Sequence, residues 1–282
     1  MKTQTPYGVC DFTPNETKAM RELSHQLCTQ FEEKKYLRVR TPTFEYLDSL
    51  KPGMSPHLVD QCIKFFDGGG QTLTLRPDHT LTVSRLVSTR MKNDPLPLRL
   101  HYSAPIFRRS TLSQEIFQAG FECFGISNAK SDAEIILLCI QTLESLGLTD
   151  FRIDIGHTDF VSDLSEEKKK ALLSGDFITL GALPERGQKE IIQEHPYLLD
   201  IAKLLEKENK LNYICFNKGL VKNLNYYTGI ILDCYSLSTK KTLGSGGRYD
   251  RLLAQFGFNC PAVGFTFDKE AILACLRHKK GK

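Results

Sequence analysis

No apolar run in these 282 residues approaches the roughly 20 residues that a membrane-crossing helix needs, so no membrane partner is expected. Nine cysteines are present, yet no two form a C-x-x-C pair, which excludes a zinc knuckle or dithiol redox motif. The odd cysteine number and the lack of a secretory signal predict a reducing, cytoplasmic location. Charge of one sign is also missing: 37 basic against 33 acidic residues leave only +4, too little to imply nucleic-acid binding. Lys279, Lys280 and Lys282 read as a solvated end. The glycine run Gly68-Gly69-Gly70 lacks the lysine and the strand-loop-helix setting of a phosphate loop, so it reads as a turn. Nothing in these patterns calls for a cofactor or a metal.

What is present is an ordinary globular composition, 41% hydrophobic and 25% charged, long enough to bury a large core. The chain is organised around residues 99–125. Two apolar and aromatic runs, 100–107 and 116–124, flank a polar connection and predict an antiparallel hairpin with Arg108 at its rim. Alternation places Gln118, Gly120 and Glu122 on one face and Phe117, Phe121 and Phe124 partly on the other. An amide, a bare backbone patch, a carboxylate and a nearby arginine suit a small zwitterion; an amphipathic sheet with its polar face in water is the equal alternative.

Around this hairpin the elements follow in order. Thr13 with Pro14 and Glu16 predicts a capped helix start, with Met20, Leu23, Leu27 and Phe31 on one stripe and an end near Lys35. Residues 37–44 read as one strand, and Pro42 inside it predicts an edge or a subunit interface. A hairpin spans 63–66 and 71–76. The stretch Arg76-Pro77-Asp78-His79-Thr80 ends that strand and opens a helix to about Met91; Asp78 either caps it or points into the same pocket as Glu122. Ser131 to Glu134 predicts a second capping box before an apolar helix closed by Gly147. His157 stands alone after a strand and reads as structural. Residues 162–210 read as a helical insertion with solvated charge runs. Strands return at 213–216 and 229–237. Of Tyr226 and Tyr227, one faces the core and one reaches a ligand. Gly246-Gly247 permits either a ligand's close approach or a tight bend. A buried strand over 261–267 precedes a terminal helix.

The segments 76–80, Phe107-Arg108, 118–122, 220–227, Gly246-Gly247-Arg248-Tyr249-Asp250 and 263–265 occur in an order and spacing that resembles the histidyl-tRNA synthetase catalytic domain. The resemblance covers nearly the whole chain and is weakest over 162–210. It implies an α+β, class II aminoacyl-tRNA synthetase-like antiparallel sheet flanked by helices, dimerising through the first helix and strand. It also implies a histidine pocket built from Asp78, Thr80, Arg108, Gln118, Glu122, Lys222, Tyr226, Tyr227 and Tyr249.

The departures carry the functional expectation. Lys222 stands where the family has an arginine that supports adenylate formation, with Asn223 in place of glycine; lysine loses the bidentate fork. The connection between Arg108 and Gln118 is short and lacks a second set of charged ATP contacts. Ala271 replaces the arginine that clamps the triphosphate. No anticodon-binding domain follows, so no tRNA partner is expected. The chain is therefore similar to the regulatory subunits of ATP phosphoribosyltransferase. That resemblance implies no catalytic residues and hetero-oligomerisation with a short-form catalytic subunit in the first step of histidine biosynthesis. It also implies feedback inhibition with histidine as effector. The alternatives are a truncated synthetase-like enzyme that activates histidine or a related acid with ATP, and a free-standing amino-acid sensor.

Overall fold

The computed structural model describes residues 4–110, 113–181, 183–222 and 227–280. The chain divides into two compact units, one of Met1–Phe124, Arg251–Cys260 and Thr266–Lys282, the other of Gly125–Asp250 and Pro261–Phe265. Both are α+β, with mainly antiparallel strands and flanking helices.

In the first unit the helix Pro14–Glu33 begins as its sequence dictates. The Glu16 carboxylate accepts the Thr13 N–H at 2.9 Å and the Thr13 hydroxyl at 2.7 Å. Its apolar stripe buries Met20, Leu23, Leu27, Cys28 and Phe31. The long hairpin pairs Leu98–Phe107 with Glu115–Phe124 over ten residues in unbroken register, Tyr102 opposite Gly120 and Leu100 opposite Glu122. His101 and Phe121 share one face, where Phe31 meets Phe121 at 5.0 Å and His101 at 5.6 Å between ring centroids. Phe124 has the parity of Glu122 and lies on the opposite face from Phe121, which corrects its expected placement.

Residues 37–44 are not one strand. Leu37–Arg38 pairs parallel to Leu100–His101 at a sheet edge, whereas Phe44–Tyr46 pairs antiparallel with Thr72–Leu75 in a separate three-stranded sheet. Pro42 lies between the two, since a proline removes the donor a continuous ladder needs. The third strand there, Lys64–Phe66, joins Thr72–Leu75 through the glycine turn, where Asp67 Oδ1 accepts the Gly69 and Gln71 N–H groups, each at 2.9 Å.

In the second unit Phe151–His157, Ile230–Ser236 and Thr242–Arg248 form an antiparallel core, and Ile214–Asn217 runs parallel to the first of them. The apolar helix is Ala129–Ser145, capped by Asn128, whose Oδ1 accepts the Ser131 N–H at 2.9 Å. The expected capping box at Ser131 is therefore displaced three residues. Asp132 is fully buried instead, gripped by Arg248 (Nε to Oδ1 3.1 Å) and by the Tyr197 hydroxyl at 2.8 Å. Residues 162–210 hold the helices Glu166–Ser174, Phe177–Leu180 and Pro196–Lys207, together with the two-residue strand Arg186–Gly187.

Lys269 opens the terminal helix Lys269–Lys280 and is 4% exposed. Its Nζ donates to the Ser24 hydroxyl at 3.2 Å and the Ser103 hydroxyl at 3.1 Å. Hydroxyls do not neutralise an ammonium, and burial pulls its pKa down to about 8. Between that value and the ordinary lysine value of the unfolded chain, the unfolded state holds more protons, so stability rises with pH through this window. Chemical denaturation at pH 7.5 and pH 10 should give the native chain a gain of up to about 3 kcal/mol that the Lys269→Met variant lacks.

Candidate functional site

The connection from Leu75 to His79 places the first cluster. The helix His79–Arg90 starts immediately after an extended Asp78, whose Oδ1 accepts the Leu81 N–H at 3.0 Å. Its other oxygen, Oδ2, accepts Arg108 Nη2 at 2.9 Å, and Arg108 Nε donates to the Pro77 carbonyl at 2.6 Å. Asp78 thus serves as helix cap and as an anchor for Arg108. Both side chains are roughly a quarter exposed.

The second cluster centres on Glu122, which is 1% exposed. Its Oε1 accepts the Thr80 hydroxyl at 2.8 Å and the Tyr102 hydroxyl at 3.0 Å. Because Tyr102 donates to a carboxylate, the 2.6 Å contact with Thr266 has the threonine as donor, giving a relay from Thr266 through Tyr102 to Glu122. Burial and the Glu122 charge hold the Tyr102 phenol well above its ordinary pKa. Gly120 sits opposite Tyr102, and the half-buried Gln118 follows on the same strand face. The first unit therefore brings Asp78, Thr80, Arg108, Gln118 and Glu122 into one neighbourhood. Tyr102 and Thr266 went unnoticed in the sequence, although the register signal was available: an aromatic facing a glycine across two paired strands.

The remaining expected residues belong to the second unit. Lys222 Nζ is paired with Asp233 Oδ1 at 2.9 Å. Tyr227 is half-buried, with its ring against Gly247: a Cβ there would meet Tyr227 Cε1 at 2.8 Å and the Ile230 carbonyl at 2.3 Å, at a φ of 146°. A Cβ on Gly246 would lie 2.2 Å from the Gly264 carbonyl. The close approach that these glycines permit is thus made by the chain itself. Tyr249 is 2% exposed, and its N–H donates to the Ala262 carbonyl at 2.8 Å. Tyr226 lies outside the described residues. Ala271 is buried, with its N–H capped by Asp268 Oδ1 at 2.9 Å.

His157 has a neighbour that its sequence position concealed: the His195 ring lies 4.5 Å away, and Asp159 Oδ2 is 3.3 Å from His157 Nδ1 and 3.4 Å from His195 Nε2. Among the described residues this is the group whose ligand atoms are close enough for one metal ion. The imidazoles are otherwise engaged. His157 Nδ1 accepts the Asp159 N–H and His195 Nδ1 accepts the Leu198 N–H, which places each ring proton on Nε2. The trio reads as a clasp that caps a turn and the helix Pro196–Lys207.

Comparison with known proteins identifies this architecture. A family model described as histidyl-tRNA synthetase matches residues 8–174 and 173–272. An ATP phosphoribosyltransferase regulatory subunit from Caldanaerobacter subterraneus subsp. tengcongensis is 33% identical, over 98% of this chain and 84% of that protein. The chain belongs to the family of ATP phosphoribosyltransferase regulatory subunits. A crystal structure titled as an ATP phosphoribosyltransferase regulatory subunit/histidyl-tRNA synthetase from Bacillus halodurans superposes with a TM-score of 0.90 at 26% identity, over 98% of this chain and 84% of that one. The apo histidyl-tRNA synthetase of S. aureus shares the fold, with a TM-score of 0.76 at 24% identity, over 99% of this chain and 71% of that chain. The α+β, class II synthetase-like reading is thereby established, and in this chain the Glu122 relay sits on the hairpin that the motif pattern singled out.

Removing the Tyr102 hydroxyl withdraws one of the two donors described for the buried Glu122 oxygen. Tyr102→Phe should lower unfolding free energy by roughly 1–3 kcal/mol in urea denaturation with an unchanged m-value. A change below a few tenths of a kcal/mol would show that the relay is not formed.

Proposed function

We propose that this chain is a regulatory subunit that catalyses no reaction itself and activates a short-form ATP phosphoribosyltransferase catalytic subunit in the first step of histidine biosynthesis. The family relationship supports this reading, and the observation that carries it is Ala271. A buried alanine stands where the synthetase resemblance expects a phosphate-clamping arginine. Two other cations are engaged internally: Arg108 by Asp78 and the Pro77 carbonyl, Lys222 by Asp233. Histidine is the effector in this reading. Its ammonium or ring N–H is recognised at Glu122, within the neighbourhood that includes Thr80 and Gln118, and it acts by binding one state of the complex more tightly than the other. Self-association through the first helix and the Leu37–Arg38 edge accompanies the hetero-oligomer.

Mixing the purified chain with a short-form catalytic subunit should raise phosphoribosyl transfer several-fold in a concentration-dependent way, while the chain alone gives no histidine-dependent ATP–pyrophosphate exchange. No rise across the series would sink the regulatory reading. In the same assay Glu122→Gln should raise the half-inhibitory histidine concentration by about tenfold, the cost of one charge-assisted hydrogen bond. Unchanged sensitivity would move the effector elsewhere.

A further inference from the structure

The arm before the first helix is not part of the core: in residues 4–13 only Gly8, Val9 and Phe12 are half-buried, and the rest are exposed. It is nevertheless shaped for one seat. Residues 6–9 form a turn, closed by the Val9 N–H on the Pro6 carbonyl at 3.3 Å and braced by the Thr5 hydroxyl on the Val9 carbonyl at 3.2 Å. Gly8, third in that turn, has a φ of 78°, in the left-handed region that glycine enters without steric cost. Its carbonyl receives the Gln114 N–H at 2.7 Å, and a Cβ at position 8 would lie 2.8 Å from Gln114 Cγ and 3.0 Å from Gln114 N. Further along the arm, the Phe12 ring meets the Phe117 ring edge-on, 5.2 Å between centroids.

Gln114 joins this seat to the rim of the Glu122 neighbourhood. Its N–H goes to Gly8, while its carbonyl accepts the Arg108 N–H at 3.0 Å and closes the hairpin connection. Arg108 in turn holds Asp78 Oδ2 at 2.9 Å, and Asp78 caps the helix from which Thr80 reaches Glu122 at 2.8 Å. Phe117, under the arm, directly precedes Gln118 on its strand, so the two occupy opposite faces. The Arg109 N–H moors the start of the connection on the Gln61 carbonyl at 2.7 Å, and the arm moors its end. A contiguous line of contacts thus runs from Gly8 to Glu122 within the first unit. Exposed backbone hydrogen bonds with little apolar burial belong to the low-stability part of a fold, so the arm leaves its seat far more readily than the unit unfolds.

We propose that residues 5–12 are a strap with two positions, seated on Gln114 and Phe117 or released, and that histidine binds the seated form more tightly. This rests on the reading of histidine at the Glu122 neighbourhood. Seating fixes the connection that carries Arg108 and the strand start that carries Gln118, so the site is pre-organised and the ligand bears less of the ordering. By linkage, bound histidine holds the strap down by the same factor by which the strap favours histidine. The strap thereby sets how much histidine inhibition requires, without touching the ligand.

Amide hydrogen exchange reports the seat directly, because the Gln114 N–H is the bonded group. In the full chain mixed with the short-form catalytic subunit, saturating histidine should slow exchange at Gln114 about threefold or more. Gly8→Ala sets a Cβ against Gln114 at an unfavourable φ. It should speed that exchange roughly tenfold and raise the half-inhibitory histidine concentration about threefold or more, with the histidine-free rate unchanged. Phe12→Ala, which removes the ring contact and leaves the turn intact, should shift both readouts the same way, and Phe12→Tyr, which keeps the ring, should match the native chain. Exchange at Gln114 that histidine leaves unchanged overturns the proposal. So does faster exchange in the alanine variants with an unaltered half-inhibitory concentration. Glu122→Gln separates the two readings. If it raises the half-inhibitory concentration and Gly8→Ala does not, the strap falls and the histidine site stands; if it has no effect, the histidine site falls and the strap with it.

Discussion

The register of one hairpin governs the first unit. Ten consecutive pairs between Leu98–Phe107 and Glu115–Phe124 decide which side chains face which way, and a slip of one residue would exchange the two faces. In the observed register one face receives Phe31 from the first helix against His101 and Phe121. The other face buries the Glu122 carboxylate under Tyr102 and Thr80. A buried carboxylate is expensive unless its lone pairs are filled, so the apolar packing on one side and the hydroxyl relay on the other are linked through a single strand.

Much of this was readable from residue order. The hairpin, the Thr13–Glu16 start, the glycine turn at Asp67 and the strands near 214 and 230 follow from local periodicity and turn chemistry, which act over a few residues. The misreadings have a common origin in tertiary demands. Asp132 looked like part of a capping box, but a buried guanidinium from Arg248, 116 positions away, claims it. Residues 37–44 looked continuous, but their two ends answer to different sheets. Of the site, Asp78, Thr80, Arg108 and Glu122 were named in advance because motif order fixes them. Tyr102, Thr266 and the His157–His195 contact were not, because cross-strand opposition and helix docking leave no short-range trace.

The departures from the synthetase pattern make physical sense together. A buried alanine stands at 271, and Lys222, where the pattern has an arginine, is tied to Asp233; Arg108, which keeps the pattern, is paired with Asp78. Cations at 108 and 222 held in internal pairs are what the proposed regulatory role would need.

The thiols described at the outset have a practical corollary. Of the nine cysteines, Cys10 alone is exposed; Cys215 is intermediate and the other seven are buried. Cys10 lies on the arm whose Gly8 carbonyl receives the Gln114 N–H at 2.7 Å, beside the hairpin connection. The unmodified chain therefore carries its own attachment point for a fluorescent or spin label, set where movement of that arm against the hairpin would be reported without disturbing the core.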